Sequence, residues 1–418
     1  MASPDEVLEG LADFKWKRRL TKVTMHAAAG TSVPVLTNEF WTSRQRAANS
    51  LHEISYRACF KPQLPAFFID RLTQSGDVVY DPFAGRGTTL LEAALRGRVP
   101  AGCDINPLAH ALLWPRLHPP SMDDVRERLD QVNLSRAVNP PKQLLAFYHP
   151  DTLTEITALR AYLLDRARRD RLDDLDQWIR MVAVNRLTGH SPGFLSVYTL
   201  PPNQAISVAS QIKINARRGQ TPPRRDLRAI IVRKSASLLA DVDEPMRGAL
   251  GVASQRARFH TGSCTERFWR PGSVQLAVTS PPFLDIVDYA GDNWLRCWFC
   301  GIDADQVDIG LHASIAGWQR FIATAIRRIA RLLKPGGYVA FEVGEVRNGK
   351  LRLEDIVVPA GRTAGLRPIA VLVNEQAFTK TANIWGVANN RRGTNTNRIV
   401  LFIKDAGRRR LTRKTVST

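Results

Sequence analysis

Cysteine is scarce in this chain: 418 residues hold five, Cys59, Cys103, Cys264, Cys297 and Cys300. An odd and scattered set excludes a disulfide-stapled scaffold. Cys297 and Cys300 do form a CxxC within NWLRCWFCG, but no second CxxC or histidine pair stands nearby to complete a zinc site. The flanking Trp and Phe read as a buried helix carrying two packed thiols. Long apolar runs are missing too, since no stretch approaches the roughly 18 consecutive apolar residues of a membrane span. The N-terminus MASPDEVLEGLADFKWKRRL opens acidic and has no apolar signal core. The expectation is therefore a soluble, cytoplasmic chain with no membrane partner. Acidic residues are the third deficit. Asp and Glu number 39 against 59 Lys and Arg, a formal charge of +20, with a sequence pI of about 10.4. An excess of that size binds polyanions, and nucleic acid is the usual partner. The alternative is an arginine-rich composition that implies no partner.

What is present suffices for a core: 44% of residues are hydrophobic and the mean hydropathy is −0.20. A mainly disordered chain is excluded, and the length admits about three domains or one elaborated α/β domain. Residues 1–40 show no clear pattern. Their basic run, Lys15, Lys17, Arg18, Arg19 and Lys22, is either a phosphate contact or a solvated face. SRQRAANSLHEISYRACF reads as a helical approach, and KPQLPAFFIDRL as a helix begun by proline. The strand DVVYD, the turn PFAGRG and the helix TTLLEAALRG follow, then the strand PAGCDI and the helix NPLAHALLW. Such a βαβ beginning implies parallel strands with a site at their carboxyl ends. Helical patterns then interrupt the rhythm, broken by the loop TGHSPGFLSVYTLPPN, and read as an inserted subdomain. Strands resume in RARFHTGS and SVQLAVTSPPF, followed by the amphipathic helix WQRFIATAIRRIARLL, the turn KPGG and the strand YVAFEVGEV. RPIAVLVNEQAF and NRIVLFIK suggest a closing hairpin. The expected organisation is an N-terminal segment 1–40, α/β parts at 41–120 and 258–405, a helical insertion at 121–257, and a basic tail at 406–418.

Two constellations carry chemistry. The first, Asp81-Pro82-Phe83-Ala84-Gly85-Arg86-Gly87-Thr88-Thr89, falls between a strand and a helix. Its glycines permit a tight turn and close approach of backbone to a ligand, and the helix behind offers unpaired N–H groups. Asp104, at the end of the next strand, can accept hydrogen bonds from both hydroxyls of a ribose. A phosphate-binding loop needs a lysine after Gly87, and a dinucleotide fingerprint needs a third glycine; neither is there. An adenosyl ligand without phosphates fits best, because Asp81 would repel phosphate but could hold an ammonium group. S-adenosylmethionine is such a ligand; an ordinary βα turn is the bland alternative. The second constellation, Thr279-Ser280-Pro281-Pro282-Phe283, follows an apolar strand. Two prolines stiffen the backbone and fix where the Ser280 and Pro281 oxygens point, and an aromatic follows that can stack on a planar ring. This suits a planar amino group on a nucleobase, or else it is a proline-rich turn.

Together the two resemble the amino-methyltransferases that act on exocyclic nitrogens of bases. DPFAGRGTT is similar to their cofactor motif and TSPPF to their catalytic loop. The Ser form of that loop is most familiar among DNA cytosine-N4 enzymes, the Asp and Asn forms among adenine-N6 enzymes. FKPQLP, LLKPGGYVAFEVGE and TNRIVLF extend the resemblance over residues of about 40–120 and 258–404. The cofactor motif comes first and the insertion falls between the two motifs, as in members with an internal target-recognition region. The resemblance implies an α/β, Rossmann-like methyltransferase sheet with a C-terminal β-hairpin and a helical insertion. It implies S-adenosylmethionine as cofactor, held by Lys61, Pro62, Asp81, Pro82, Phe83, Gly85, Gly87, Thr88, Asp104, Ile105, Asn106 and Ser263. Relatives often carry an acid where this chain has Gly262-Ser263-Cys264, and Tyr where it has Phe283.

The implied activity is site-specific methylation of cytosine N4 in double-stranded DNA, with Ser280, Pro281, Pro282 and Phe283 as the catalytic residues. An aromatic amine is a poor nucleophile because its lone pair is delocalised. Hydrogen bonds from its hydrogens to Ser280 and the Pro281 carbonyl favour a localised lone pair, and positioning supplies much of the rest. Cysteine-based C5 chemistry is disfavoured because no Pro-Cys pair occurs. In a duplex the target base must leave the stack. Asp285, Asp288 and Tyr289 then line the pocket or read the base edge, unless they cap a helix. Lys213, Arg217, Arg218, Arg224 and Arg225, in the most basic stretch of the chain, grip phosphates or form a solvated surface. A cognate restriction endonuclease is a further partner the resemblance admits. Adenine-N6 methylation, methylation of an RNA base and a non-catalytic nucleic-acid-binding role are the alternatives.

Overall fold

Ser3 starts the first helix, α1 (Pro4–Ala12), through a reciprocal capping box with Glu6. The computed structural model describes every residue except 1–2, 29, 43–47, 57–58, 137–138, 200–204, 267–268, 283–288, 308–313, 344, 347–350, 376–395 and 407–418. A short ribbon, β1 (Lys15–Trp16) and β2 (Arg19–Leu20), leads into the hairpin β3 (Lys22–Ala28) and β4 (Thr31–Asn38). Then come α2 (Gln63–Leu72), β5 (Val78–Asp81), α3 (Thr88–Leu95), β6 (Val99–Asp104) and α4 (Leu108–Leu117). Helices α5 (Met122–Gln131), α6 (Pro150–Arg168), α7 (Asp174–Arg186), α8 (Val208–Arg218), α9 (Leu227–Leu238) and α10 (Glu244–Arg256) follow. The α/β rhythm resumes with β7 (Arg258–Thr261), β8 (Val274–Thr279), α11 (Tyr289–Cys300), α12 (Ile315–Leu332) and β9 (Leu333–Val343). The short pair β10 (Glu345–Val346) and β11 (Leu351–Arg352) precedes α13 (Glu354–Thr363), β12 (Arg367–Glu375) and β13 (Thr396–Ile403).

Nine strands form one sheet in the order β3-β4-β12-β13-β9-β8-β5-β6-β7. The run from β9 to β7 is parallel, and β13 is antiparallel to both β9 and β12. This is the Rossmann-like α/β class expected, with the closing hairpin in β12 and β13. Every position of β8 is buried, as a parallel strand covered on both faces requires. From β5 the chain moves to β6 and β7 on one side, and to β8 and β9 on the other. Strand order therefore reverses between β5 and β8, where open α/β sheets leave a crevice at the carboxyl ends. No helix of the described residues is long and apolar enough to cross a membrane.

Three places differ from the sequence reading. Residues 1–40, which carry no clear pattern, build α1 and the edge hairpin, with β4 joined in parallel to β12. Edge strand β3 faces solvent along most of its length, so its alternating Val23 and Met25 stay exposed and mark no buried face. The expected helical approach reduces, among the described residues, to the turn Ser50–His52. Backbone donors here meet the helical region instead: Ser50 N donates to Asp241 Oδ2, between α9 and α10, at 2.8 Å, and Ser55 N to Asn185 Oδ1, on α7, at 2.9 Å. The helices from α5 to α10 pack into one apolar core with α3, α4 and α11, through Leu90, Leu112, Trp178, Ile231 and Leu295.

Candidate active site

β5 ends at Asp81, and the chain turns at once because Gly85 and Gly87 take left-handed backbone, φ 52° and 78°. A Cβ at Gly87 would lie 2.6 Å from Leu113 Cδ1 and 2.9 Å from Leu113 Cβ. Helix α4 thus closes on the loop at a distance only glycine permits. Gly85 N donates to Asp104 Oδ2 at 2.7 Å, and Ala84 N to Cys103 O at 3.0 Å, which holds the loop against the end of β6. Arg86, 4% exposed, donates to Thr88 Oγ1 at 3.0 Å and to Ile54 O at 2.9 Å. It also reaches Phe60 O, so its guanidinium draws the segment before Lys61 over the loop. Buried Arg116 reaches Leu51 O and Arg86 O from the far side. Burial and the Arg86 charge push Arg116 down to about 9.

β8 ends beside β5 at Thr279, whose hydroxyl donates to Asp81 Oδ1 at 2.6 Å. Thr89 Oγ1 donates to Val278 O at 3.1 Å. The glycine loop and Ser280-Pro281-Pro282 are therefore tied together across the point where strand order reverses. The Ser280 hydroxyl lies near the carboxyl of Glu342 and works against the upward push of burial on it; Glu342 is 5% exposed near the end of β9. Asn397 Nδ2, from β13, donates to the same carboxyl. Trp318 Nε1, from α12, donates to Pro282 O at 2.9 Å. A Ser280 hydroxyl that turns its proton toward Glu342 keeps lone pairs for an incoming N–H. Glu342 escaped the sequence reading, although a signal existed: it is the one charge in YVAFEV, where a buried carboxylate needs a reason.

Buried carboxyls line this edge of the sheet. Burial pushes Asp81 up to about 7, against the opposing pull of Thr279 and the Phe83 N–H. Burial also raises Asp104 and Glu342. Each carries a desolvation cost. Asp81 has a consequence for stability. Its folded pKa of about 7 lies above its ordinary 3.8, so between these values the folded state holds more protons than the unfolded chain. The Asp81 contribution therefore weakens as pH rises from about 4 to about 7. Asp81→Asn keeps an oxygen for Thr279 and Phe83 N while removing the charge. The ligand-free variant should melt about 2 °C or more above the parent at a pH of about 8, read by calorimetry; a lower midpoint would mean that the charge stabilises.

The other residues singled out in the sequence divide. Asp81, 1% exposed, faces Thr279 instead of an open cleft where an ammonium could meet it. Asp104 is half-buried and also accepts from Asn106 N at 2.9 Å. Asn106, 3% exposed, spends its side-chain oxygen on Leu108 N at the start of α4, with Ile105 half-buried before it. Phe83 packs on Phe321, ring centres 5.6 Å apart, while Lys61 is half-buried and Pro62 begins α2. Ser263 N donates to Glu266 Oε1 at 2.9 Å, and the Glu266 carboxylate also meets His260 Nε2 at 2.7 Å. An acid thus returns to the end of β7, legible in hindsight as Ser-x-x-Glu spacing. Phe283, Asp285 and Asp288 lie outside the described residues; Tyr289 opens α11, its side chain likewise outside. Lys213 and Arg217 are exposed on α8, and Arg218 stacks on Tyr198 at 3.9 Å. Arg224 instead sits 3.6 Å from both Asp151 and Glu155, and Arg225 N donates to Thr152 Oγ1 at 2.8 Å. The Arg224 side chain is thus paired with acids of α6 while staying mostly exposed, and the Arg225 contact to α6 is made by its backbone.

A family model described as DNA methylase matches residues 14–113, from the N-terminal ribbon through the glycine loop to α4. The type II methyltransferase M.MjaII of Methanocaldococcus jannaschii is 38% identical over 64 residues, which is 15% of this chain and 12% of that protein. Among solved structures, TrmN from Thermus thermophilus is 13% identical over 93% of this chain and 61% of its own, with a TM-score of 0.32. A TehB-like SAM-dependent methyltransferase from Corynebacterium glutamicum is 9% identical, over 82% of this chain and 87% of its own, with a TM-score of 0.29.

Proposed function

We propose that the chain methylates DNA at N4 of cytosine, with S-adenosylmethionine as methyl donor. The observation that carries this reading is the 2.6 Å hydrogen bond from Thr279 to Asp81, which sets Ser280 next to a glycine loop of cofactor-binding type. The DNA methylase model over residues 14–113 supports an amino group of DNA as the substrate class, and the Ser form of the Ser-Pro-Pro loop supports cytosine.

The residues present suit the cofactor. The glycine loop lacks a phosphate-binding lysine, Asp104 stands ready for ribose hydroxyls, and Ser263 with Glu266 offers polar atoms to an adenine edge. Lys61, half-buried and near Arg86 and Cys59, suits a carboxylate, and the raised Asp104 carboxyl favours a positively charged ligand. When bound, the cofactor supplies an electrophilic methyl group. The chain itself orients the nucleophile. Ser280 Oγ, beside the Glu342 carboxyl, accepts a hydrogen bond from the target amino group and favours a localised lone pair on nitrogen. Trp318 holds Pro282, and the two prolines keep the loop from relaxing. Phe283 stacks on the base, and Asp285, Asp288 and Tyr289 read its edge after it leaves the duplex.

Incubation with S-adenosylmethionine and unmethylated genomic DNA, followed by nucleoside mass spectrometry, tests the reading. N4-methylcytosine is expected. N6-methyladenine would overturn the choice of base, and methylation of RNA alone would overturn DNA as substrate. No methylated nucleoside on either nucleic acid would overturn the enzymatic reading.

A further inference from the structure

We infer that the N-terminal ribbon, β1, β2 and the start of β3, is a second phosphate-backbone contact, set across the active-site rim from the helical insertion. This rests on the nucleic-acid reading above and assigns a job to residues that the cofactor and catalytic loops leave unused. β1 pairs with β2 as Lys15 opposite Leu20 and Trp16 opposite Arg19. Lys15, Lys17, Arg18, Arg19 and Lys22 are all exposed. Arg19 pairs with Glu375 at 2.7 Å, but among the described residues Lys15, Lys17, Arg18 and Lys22 form no ion pair. Four cations without counter-charge in an eight-residue span repel one another unless a polyanion lies against them.

The ribbon is held firmly. Buried Asn38 donates to Phe14 O and to Thr21 Oγ1, both at 3.1 Å, and Thr21 donates to Phe14 O at 2.8 Å. The Phe14 ring packs on Phe40 and Phe67. Lys17, in the two-residue connection, has φ 55°, left-handed backbone that costs a lysine free energy where glycine or asparagine is usual. The strain aims a cation outward.

Sheet register places the ribbon on the site's own edge. Lys22 pairs with Thr37, Thr37 with Val373, Val373 with Arg398, and Arg398 with Val343, one residue beyond Glu342. From β8 to β3 there are five strand steps, about 24 Å at about 4.8 Å each. At about 3.4 Å per base pair, a duplex centred on Ser280 and running along the rim brings a phosphate over the ribbon about seven base pairs away. The insertion packs on the opposite side, with α10 and α7 against α3, α4 and β6, so the ribbon and the insertion flank the site. An extended duplex meets both; a compact acidic ligand meets one.

Binding to random-sequence duplexes of about 30 and about 8 base pairs, measured by anisotropy over a salt series, tests this. In Lys17→Gly/Arg18→Ala the left-handed strain is relieved as charge is lost, so the melting midpoint should not fall. The slope of log K against log salt on the long duplex should become shallower by about 2, with much less change on the short one. Arg18→Glu, which leaves Lys17 in place, should weaken long-duplex binding further than Arg18→Ala. An unchanged slope on the long duplex, or an equal loss on both lengths, overturns the second contact. Failure of the parent protein to bind any duplex would instead overturn the nucleic-acid reading itself. A loss on polyglutamate that matches the loss on the long duplex would mean an acidic polypeptide is the occupant.

Discussion

Ser280→Ala is expected to lower methyl transfer by ~100-fold or more while S-adenosylmethionine affinity stays within about twofold, measured by single-turnover transfer and calorimetry. The asymmetry follows from position. In the proposed reaction the Ser280 oxygen, beside the Glu342 carboxyl, faces the incoming amino group, whereas the glycine loop proposed to hold the cofactor is organised by Asp104, Arg86 and Gly87. Activity within about tenfold of the parent would sink the role given to the hydroxyl. Glu342 acts through Ser280 as a positioning residue, and its signature is a pH profile. Burial raises its carboxyl above the ordinary range, and its ionised form, which grows as pH rises, is the stronger acceptor for Ser280 and Asn397. Transfer should therefore climb with pH through a midpoint above the usual carboxylate range. In Glu342→Gln that climb should vanish, with a lower plateau; an unaltered profile would assign the titration elsewhere.

Gly87→Ala should destabilise the protein by about 2–5 kcal/mol and abolish measurable cofactor binding, whereas Gly85→Ala should cost only about 1–2 kcal/mol. Both residues have left-handed backbone, which costs any other residue about 1–2 kcal/mol. The difference lies in space. A Cβ on Gly85 would meet Cys59 and Tyr56 at 3.7 Å, an ordinary contact, while one on Gly87 strikes Leu113 at its own Cβ, 2.9 Å away. A side chain can swing its end aside but not its Cβ, so α4 must shift, adding about 1–3 kcal/mol of overpacking. Denaturant titration of both variants supplies the comparison, and equal losses would refute it. In the Gly87→Ala background, Leu113→Ala should restore part of the stability only if the Leu113 branch carries most of the clash.

Much of the site was legible because its determinants are local. Two glycines between a strand and a helix specify a loop open to a ligand, and consecutive prolines after a buried strand specify a stiff one. The acids were harder. Asp81 stood out as a ligand for an ammonium group, yet its oxygen serves Thr279, a partner 198 residues away. Glu342 looked like one position of an apolar strand until β9 came to lie beside β8. The basic stretch in the insertion read as a single surface, but Arg224 is paired with acids of α6 while Lys213 and Arg217 stand exposed on α8.

By itself the sequence determined the α/β class, the closing hairpin, the position of both loops and the excess of positive charge. These follow from burial periodicity, from backbone freedom at glycine and proline, and from composition, all of which act within a few residues. Only the tertiary structure decided what lies beside what: Thr279 on Asp81, Glu342 under Ser280, Arg86 across the segment before Lys61, and the N-terminal ribbon on the active-site rim. Those contacts depend on strand order. A nine-stranded sheet with β3 and β4 at one edge and β7 at the other joins residues that no local pattern relates, such as Arg19 and Glu375, 356 positions apart.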